Sequence, residues 1–107
     1  MLLALSGHIT ARPRAVFDAL DARFRPGGSS KTLYLADPSA FLIITQGGWW
    51  YRGEYRIVPD ESGSNVEHTL LNIAHQRRMG SLTGRRVITS APADFERMLK
   101  QLRLELE

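Results

Sequence analysis

An aromatic-rich segment at residues 47–58 constrains the fold of this chain more than any other stretch, because its residue types alternate as in a β-strand. The segment holds both tryptophans and two of the three tyrosines of the chain. One face carries Trp49, Tyr51, Gly53, Tyr55 and Ile57, and the other carries Trp50, Arg52, Glu54, Arg56 and Val58. An aromatic face interrupted by a glycine is consistent both with the wall of a ligand cavity and with a filled core, and the pattern leaves the two open.

The residues that follow predict a β-hairpin. Residues 60–64 are turn-forming, and residues 65–75 form the returning strand. The best cross-strand register pairs Ile57 with Val66, Tyr55 with His68, Gly53 with Leu70, Tyr51 with Asn72, Arg56 with Glu67 and Trp50 with Ile73. A slip of one residue would place Glu67 against Ile57 on the apolar face, so the hydrophobic pattern favours this register.

The rest of the chain predicts an α+β fold. Residues 2–10 form a first strand, and a helix follows up to Arg25, with Thr10 as its cap and Pro13 in its first turn. Residues 32–36 and 40–46 form a hairpin, and the unbroken apolar run at residues 41–44 indicates a strand buried on both faces. Antiparallel strands followed by helices on one side are typical of the α+β class.

A long amphipathic helix is predicted at the C-terminus, from about Ser90 onward, with a start as early as Arg78 left open by the glycines between them. Its apolar residues recur at helical spacing, and they are Phe95, Met98, Leu99, Leu102 and Leu106. Such a stripe predicts that this helix packs against the inner face of the sheet.

Composition excludes several classes of protein. At 107 residues the chain is a single domain, residues 1–107, and without cysteine it has no disulfide and no thiolate metal site. The spacing of His8, His68 and His75 matches no metal-binding motif, and no motif for a cofactor is present. No stretch has the length of a membrane span or the pattern of a signal peptide, so we expect a cytoplasmic protein. A net charge of +3 is too small to indicate nucleic acid as the partner.

Two segments carry a family resemblance. The helix after strand one begins Ala11-Arg12-Pro13-Arg14 and continues with Val16, Phe17 and Leu20, and the aromatic strand contains Trp-Tyr-Arg-Gly-Glu-Tyr at residues 50–55. With the hairpin and the C-terminal helix, this order resembles the START-like superfamily (SRPBCC, polyketide cyclase-like, Bet v 1-like). The resemblance implies a helix-grip fold, in which a curved antiparallel sheet wraps around the C-terminal helix and leaves an apolar cavity between them.

The chain is shorter than members of that superfamily usually are, and the shortening falls between the first helix and the tryptophan strand. The resemblance therefore implies a shortened member that lacks one or two strands or a short helix. Such a sheet leaves a smaller cavity, or an edge that a second subunit completes.

The first hypothesis for function is binding of an apolar or amphipathic small molecule in that cavity. The predicted ligand-binding residues come from the aromatic strand, the returning strand and the C-terminal helix, and they are Trp49, Tyr51, Tyr55, His68, Leu70, Asn72, Phe95 and Leu99. An alternative is a cyclase- or hydratase-like enzyme that uses His68 with Tyr51 or Tyr55. Catalysis is the weaker interpretation, because no carboxylate is expected near His68 on that face.

A third hypothesis is a module that binds a protein or RNA. Trp50 and Ile73 fall on the charged face of the hairpin, and an exposed aromatic patch of this kind often marks a contact such as a homodimer interface. Arg77, Arg78, Arg85 and Arg86 concentrate positive charge, which suits either an anionic partner or a solvated helix face.

Overall fold

The fold comprises five strands and two helices in the part of the chain that the computed structural model describes, residues 3–25, 33–46, 51–72 and 81–107. In chain order the elements are β1 (Leu3–Ile9), α1 (Pro13–Phe24), β2 (Leu33–Asp37), β3 (Leu42–Gln46), β4 (Tyr51–Asp60), β5 (Gly63–Asn72) and α2 (Ser81–Leu106). This is the α+β class that the sequence predicts. Neither of these helices is long and apolar enough to cross a membrane.

The strands form one open antiparallel sheet in the order β1-β5-β4-β3-β2. The predicted register of the β4–β5 hairpin is confirmed, since Ile57 lies opposite Val66 and Tyr55 lies opposite His68. The predicted pair of Trp50 with Ile73 lies outside the described residues. The hydrophobic pattern selected this register because it places the apolar residues of both strands on one face.

Both helices cover the same face of the sheet, and the core lies between them and that face. Buried apolar side chains come from the inner face of the sheet and from both helices: Ile9, Val16, Phe17, Leu20, Ile43, Ile57, Val66, Phe95, Met98, Leu99 and Leu102. The predicted apolar stripe of α2 is therefore confirmed, with Leu106 partly buried at its end. The position of α2 matters for function because its stripe forms one wall of the site described below.

Two local predictions are wrong. The N-cap of α1 is Arg12 rather than Thr10, because the residue before a proline favours the extended conformation that Arg12 adopts. The backbone N–H of Thr10 donates instead to Glu107 Oε2 at 2.8 Å. The run at residues 41–44 is not buried on both faces, since Phe41 lies in a turn and Ile43 alone of these residues is fully buried. Both described helices cover the inner face, so Leu42 and Ile44 stay partly exposed on the outer one.

The helix α2 begins at Ser81 and continues through Pro92, so it is longer than the helix predicted from about Ser90 onward. A proline within a helix removes one backbone hydrogen-bond donor, and the apolar stripe beyond it supplies the packing that holds this helix. A start near Arg78 lies outside the described residues. The backbone of Gly84 is helical, although a glycine there disfavours a helix.

The outer face of the sheet is partly charged and partly apolar. Arg52 forms an ion pair of 3.0 Å with Glu54 along β4, as part of the charged face that the sequence predicts. On the edge strand β2, Leu33 and Leu35 are exposed. The proposed homodimer stays a prediction.

Candidate functional site

A cavity of about 330 Å³, open to solvent on one side, lies between α2 and the inner face of the sheet. Its lining side chains come from both helices and from the three central strands, and they are Phe24, Thr45, Gly53, Tyr55, His68, Leu70, Ser90, Ala91, Asp94, Phe95 and Met98. Small-molecule sites are typically mostly apolar clefts with a few convergent polar groups. The lining of this cavity has that character.

Gly53 lines the cavity without a side chain of its own. It lies on the inner face of β4, where the next inward residue toward the hairpin turn is the large Tyr55. A Cβ atom built at this position would lie 3.1 Å from Thr45 Oγ1 and 3.3 Å from His68 Cε1. Both of these distances are tighter than ordinary van der Waals contact, so the glycine lets Thr45 and His68 pack closely against the backbone of β4.

Four aromatic rings form a stack along the cavity wall, in the order Phe24, Tyr55, His68, Phe95. The rings of Tyr55 and His68 are almost parallel, at 4° and with centroids 4.0 Å apart, as their opposition in the hairpin register allows. Phe24 stacks on Tyr55 at 4.7 Å, and Phe95 stacks on His68 at 5.8 Å.

The hydrogen bonding of His68 defines its chemistry. The side chain is 6% exposed, and Nδ1 lies 3.1 Å from the backbone carbonyl oxygen of Glu54. A carbonyl oxygen only accepts, so Nδ1 carries the proton in the neutral ring and Nε2 keeps its lone pair. Burial lowers the pKa of His68 below its ordinary value, and the bond to the carbonyl offsets only part of that effect. His68 therefore presents a neutral hydrogen-bond acceptor in an apolar setting.

This burial predicts that stability falls in mild acid. The unfolded chain protonates His68 near its ordinary pKa of about 6.5, whereas the folded protein resists protonation. The neutral ring therefore makes its full contribution to the free energy of unfolding above the ordinary pKa of about 6.5. That contribution is lost as the pH falls toward the lower pKa of His68 in the folded protein. The rings of Tyr55 and Phe95 stack on the imidazole, Leu5 of β1 is its partner in the strand register, and the charged residue of the cavity lining is Asp94 on α2.

The measurement is urea denaturation of the wild type and of His68→Phe at about pH 7.5 and about pH 5. We expect the wild type to lose more free energy of unfolding than the variant between the two conditions. The two proteins differ only at position 68, so the difference between their losses reports on His68. Equal losses in the two proteins would contradict a buried, neutral His68.

The cavity also contains a carboxylate, which α2 supplies and the hairpin face does not. Asp94 lies at the rim, where it is 59% exposed and accepts a hydrogen bond of 3.1 Å from Arg97. Among the described residues, it makes no hydrogen bond to His68. It was missed because it lies on α2, while the prediction considered only the hairpin. Its helical spacing to Ala91 and Met98 is the signal that points to it.

Of the predicted site residues, Tyr55, His68, Leu70 and Phe95 line the cavity. Leu99 does not line it, because its fully buried side chain packs in the core, against Gly7 of β1. Tyr51 and Asn72 pair at the end of the hairpin nearest to the site, in the predicted register. Trp49 lies outside the described residues.

The lining residues absent from the predicted set are Phe24, Thr45, Gly53, Ser90, Ala91, Asp94 and Met98. Phe24 and Met98 belong to helical stripes that the sequence does show, so these two were detectable as cavity candidates. Thr45 reaches the site because β3 pairs with β4, which sets it opposite Gly53. No local pattern marks that threonine.

A second polar cluster, at the β4–β5 turn, has the residue types of a hydrolase triad without its geometry. Ser62 Oγ lies 2.9 Å from His8 Nε2, and Asp60 Oδ1 lies 3.2 Å from the same nitrogen. A triad needs the acid on one ring nitrogen and the hydroxyl on the other. This cluster is therefore a turn contact. In the described part of the chain, no three histidine or acidic side chains come close enough together to hold a metal ion.

The fold is similar to a solved structure, that of TTHA0849 from Thermus thermophilus, with a TM-score of 0.58. The two chains are 19% identical, and the match covers 94% of this chain and 93% of the other. No protein-family model and no curated protein sequence matches the chain. The similarity at this identity shows a shared fold, and the function is argued from the cavity itself.

Proposed function

We propose that this protein binds a small apolar or amphipathic molecule in the cavity between the sheet and α2. The observation that carries the proposal is the half-open cavity of about 330 Å³, with a stacked aromatic wall and a single buried imidazole. We further propose that the fold is a shortened helix-grip, with α2 held against the sheet as in START-like proteins. The resemblance at residues 11–21 and 50–55 supports this proposal, as does the packing of α2 across the sheet.

Binding is favoured over catalysis by the partner of His68. A histidine that acts as a general base becomes a cation during the reaction, and a carboxylate on its other nitrogen stabilises that cation. Here the partner is the neutral carbonyl of Glu54, and the ring is buried. An enzyme that uses His68 with Tyr51 or Tyr55 stays the alternative. Binding of protein or RNA through Trp50 or residues 77–86 also stays a prediction.

The proposal predicts that filling the cavity abolishes binding without unfolding the protein. Ala91 lines the cavity and is 9% exposed, so Ala91→Leu places three additional carbon atoms in empty space. Ala93 lies two residues along the same helix and is exposed, so Ala93→Leu is a matched control. We expect Ala91→Leu to lower the affinity for an apolar fluorescent probe by at least about 10-fold, or roughly 1.4 kcal/mol. Ala93→Leu should bind as the wild type does.

The probe is 1-anilinonaphthalene-8-sulfonate, titrated against each protein, with native mass spectrometry of freshly purified protein to detect a retained molecule. The free energy of unfolding of Ala91→Leu should stay within about 1 kcal/mol of the wild type, because the new side chain buries apolar surface. Equal probe affinity in all three proteins would refute binding in this cavity. A probe bound with the same affinity by Ala91→Leu would have to occupy another surface.

A further inference from the structure

We infer that the ligand of this cavity is an aromatic molecule of about two fused rings that donates one hydrogen bond to Nε2 of His68. This inference rests on the proposed function and specifies the chemistry of its ligand. Three properties of the site carry it: the volume of the cavity, the stacking of Tyr55 on the imidazole, and an imidazole nitrogen that has no hydrogen-bond partner among the described residues.

The volume sets the size. An apolar protein cavity of about 150 Å³ accommodates benzene. The cavity here is about 330 Å³, roughly twice as large, and its open side lets a further substituent reach solvent. A molecule of two fused rings fills such a space, whereas a single ring leaves much of the apolar wall without contact.

The aromatic stack sets the direction of approach. Tyr55 covers one face of the imidazole with centroids 4.0 Å apart, and the ring of Phe95 lies nearby with its centroid 5.8 Å away. The lone pair of Nε2 lies in the plane of the imidazole, so a hydrogen-bond donor meets the ring at its edge. A flat ligand that carries the donor therefore points its own edge at His68.

The polarity of the edge sets the functional group. Nδ1 already donates to Glu54, and among the described residues His68 makes no second hydrogen bond, so Nε2 presents a lone pair. A ligand that covers this lone pair with carbon removes solvent from it without replacing the hydrogen bond, whereas a ligand that brings an O–H or N–H group replaces it. The hydroxyl of Thr45 can donate or accept a hydrogen bond, so it does not require a donor from the ligand. The carboxylate of Asp94 is exposed and paired with Arg97, so it does not require one either.

The test compares three probes by calorimetric titration: 2-naphthol, its methyl ether 2-methoxynaphthalene, and naphthalene. The ether retains the oxygen and loses the donor. For the wild type we expect 2-naphthol to bind at least about 10-fold more tightly than either of the others, the effect of one hydrogen bond to a buried acceptor. In His68→Phe, which retains an aromatic ring and loses the acceptor, the three affinities should become similar.

Two further variants assign the acceptor. Thr45→Val and Asp94→Asn each alter one of the other polar groups of the cavity lining, and the preference for 2-naphthol should persist in both. A preference that survives His68→Phe, or that is lost in Thr45→Val or Asp94→Asn, overturns the assignment to Nε2. Equal binding of 2-naphthol and its ether by the wild type also overturns the assignment to Nε2. In that case, loss of binding in Ala91→Leu would still support the cavity as the binding site. If no naphthalene binds in a manner that depends on Ala91, the inference and the proposed function both fail.

Discussion

Leu99→Ala is expected to lower the free energy of unfolding by about 3 kcal/mol. The side chain of Leu99 is fully buried, and it lies so close to the backbone of β1 at Gly7 that a Cβ atom there would overlap it. Removing it leaves a cavity between α2 and the sheet that the rigid strand cannot close. For a domain with a total stability of about 5–15 kcal/mol, this is a large loss.

The control for Leu99→Ala is Leu104→Ala on the same helix. Leu104 is 86% exposed, so its removal should change the free energy of unfolding by less than about 0.5 kcal/mol. Urea denaturation followed by circular dichroism measures both variants. Similar stabilities of the two would contradict the packing of α2 on β1.

The contact also predicts coupling between the two positions. Gly7→Ala should destabilise the wild type by about 1–3 kcal/mol through overpacking against Leu99, and much less when Leu99 is already alanine. The double variant should therefore be more stable than the sum of the two single changes predicts. Strict additivity would show that the two residues are not in contact.

Gly63→Ala is the second change with a large expected effect, a loss of about 3 kcal/mol or more. The backbone of Gly63 has φ of +149°, a region that other residues rarely adopt. An added Cβ would overlap the carbonyl oxygen of Ile9 and lie 2.8 Å from the backbone nitrogen of Ala11. These are backbone atoms of the β1–α1 connection, so no side-chain rotation relieves the clash.

Gly53→Ala is the matched control, because its nearest neighbours are side-chain atoms beside an open cavity, at 3.1 and 3.3 Å. Its expected cost is within about 1 kcal/mol. Thermal and urea denaturation of both variants test the difference. If Gly63→Ala proved as stable as Gly53→Ala, the close approach of the hairpin turn to the end of β1 would be refuted.

Much of the fold follows from local patterns. The alternation in β4 and β5 predicted their register residue by residue, because a shift by one would move every apolar side chain to the other face. The helical spacing in α2 predicted the stripe that packs on the sheet. The burial of residues 41–44 was predicted wrongly, because an apolar run does not show whether any element covers its second face.

The candidate site was predicted only in part, for the same kind of reason. Tyr55 and His68 were assigned to one face by alternation and do stack at the cavity wall. Leu99 was placed with them by helical spacing, yet it lies against Gly7, since a stripe several turns long contacts different parts of the sheet along its length. Asp94 was not considered, because its place at the rim depends on where α2 crosses β4 and β5.

Local patterns in the amino-acid sequence were enough to predict the order of the elements, the pairing of the aromatic strand with its hairpin partner, and the face of that strand that turns inward. These features depend on the spacing of residue types along the chain, which the sequence shows directly. The three-dimensional packing was needed to show that Thr45 and His68 lie close to the backbone of Gly53, and that the backbone carbonyl of Glu54 accepts a hydrogen bond from Nδ1–H and leaves Nε2 as the acceptor. Those facts depend on distances between residues from different strands and helices, and no local period encodes such distances.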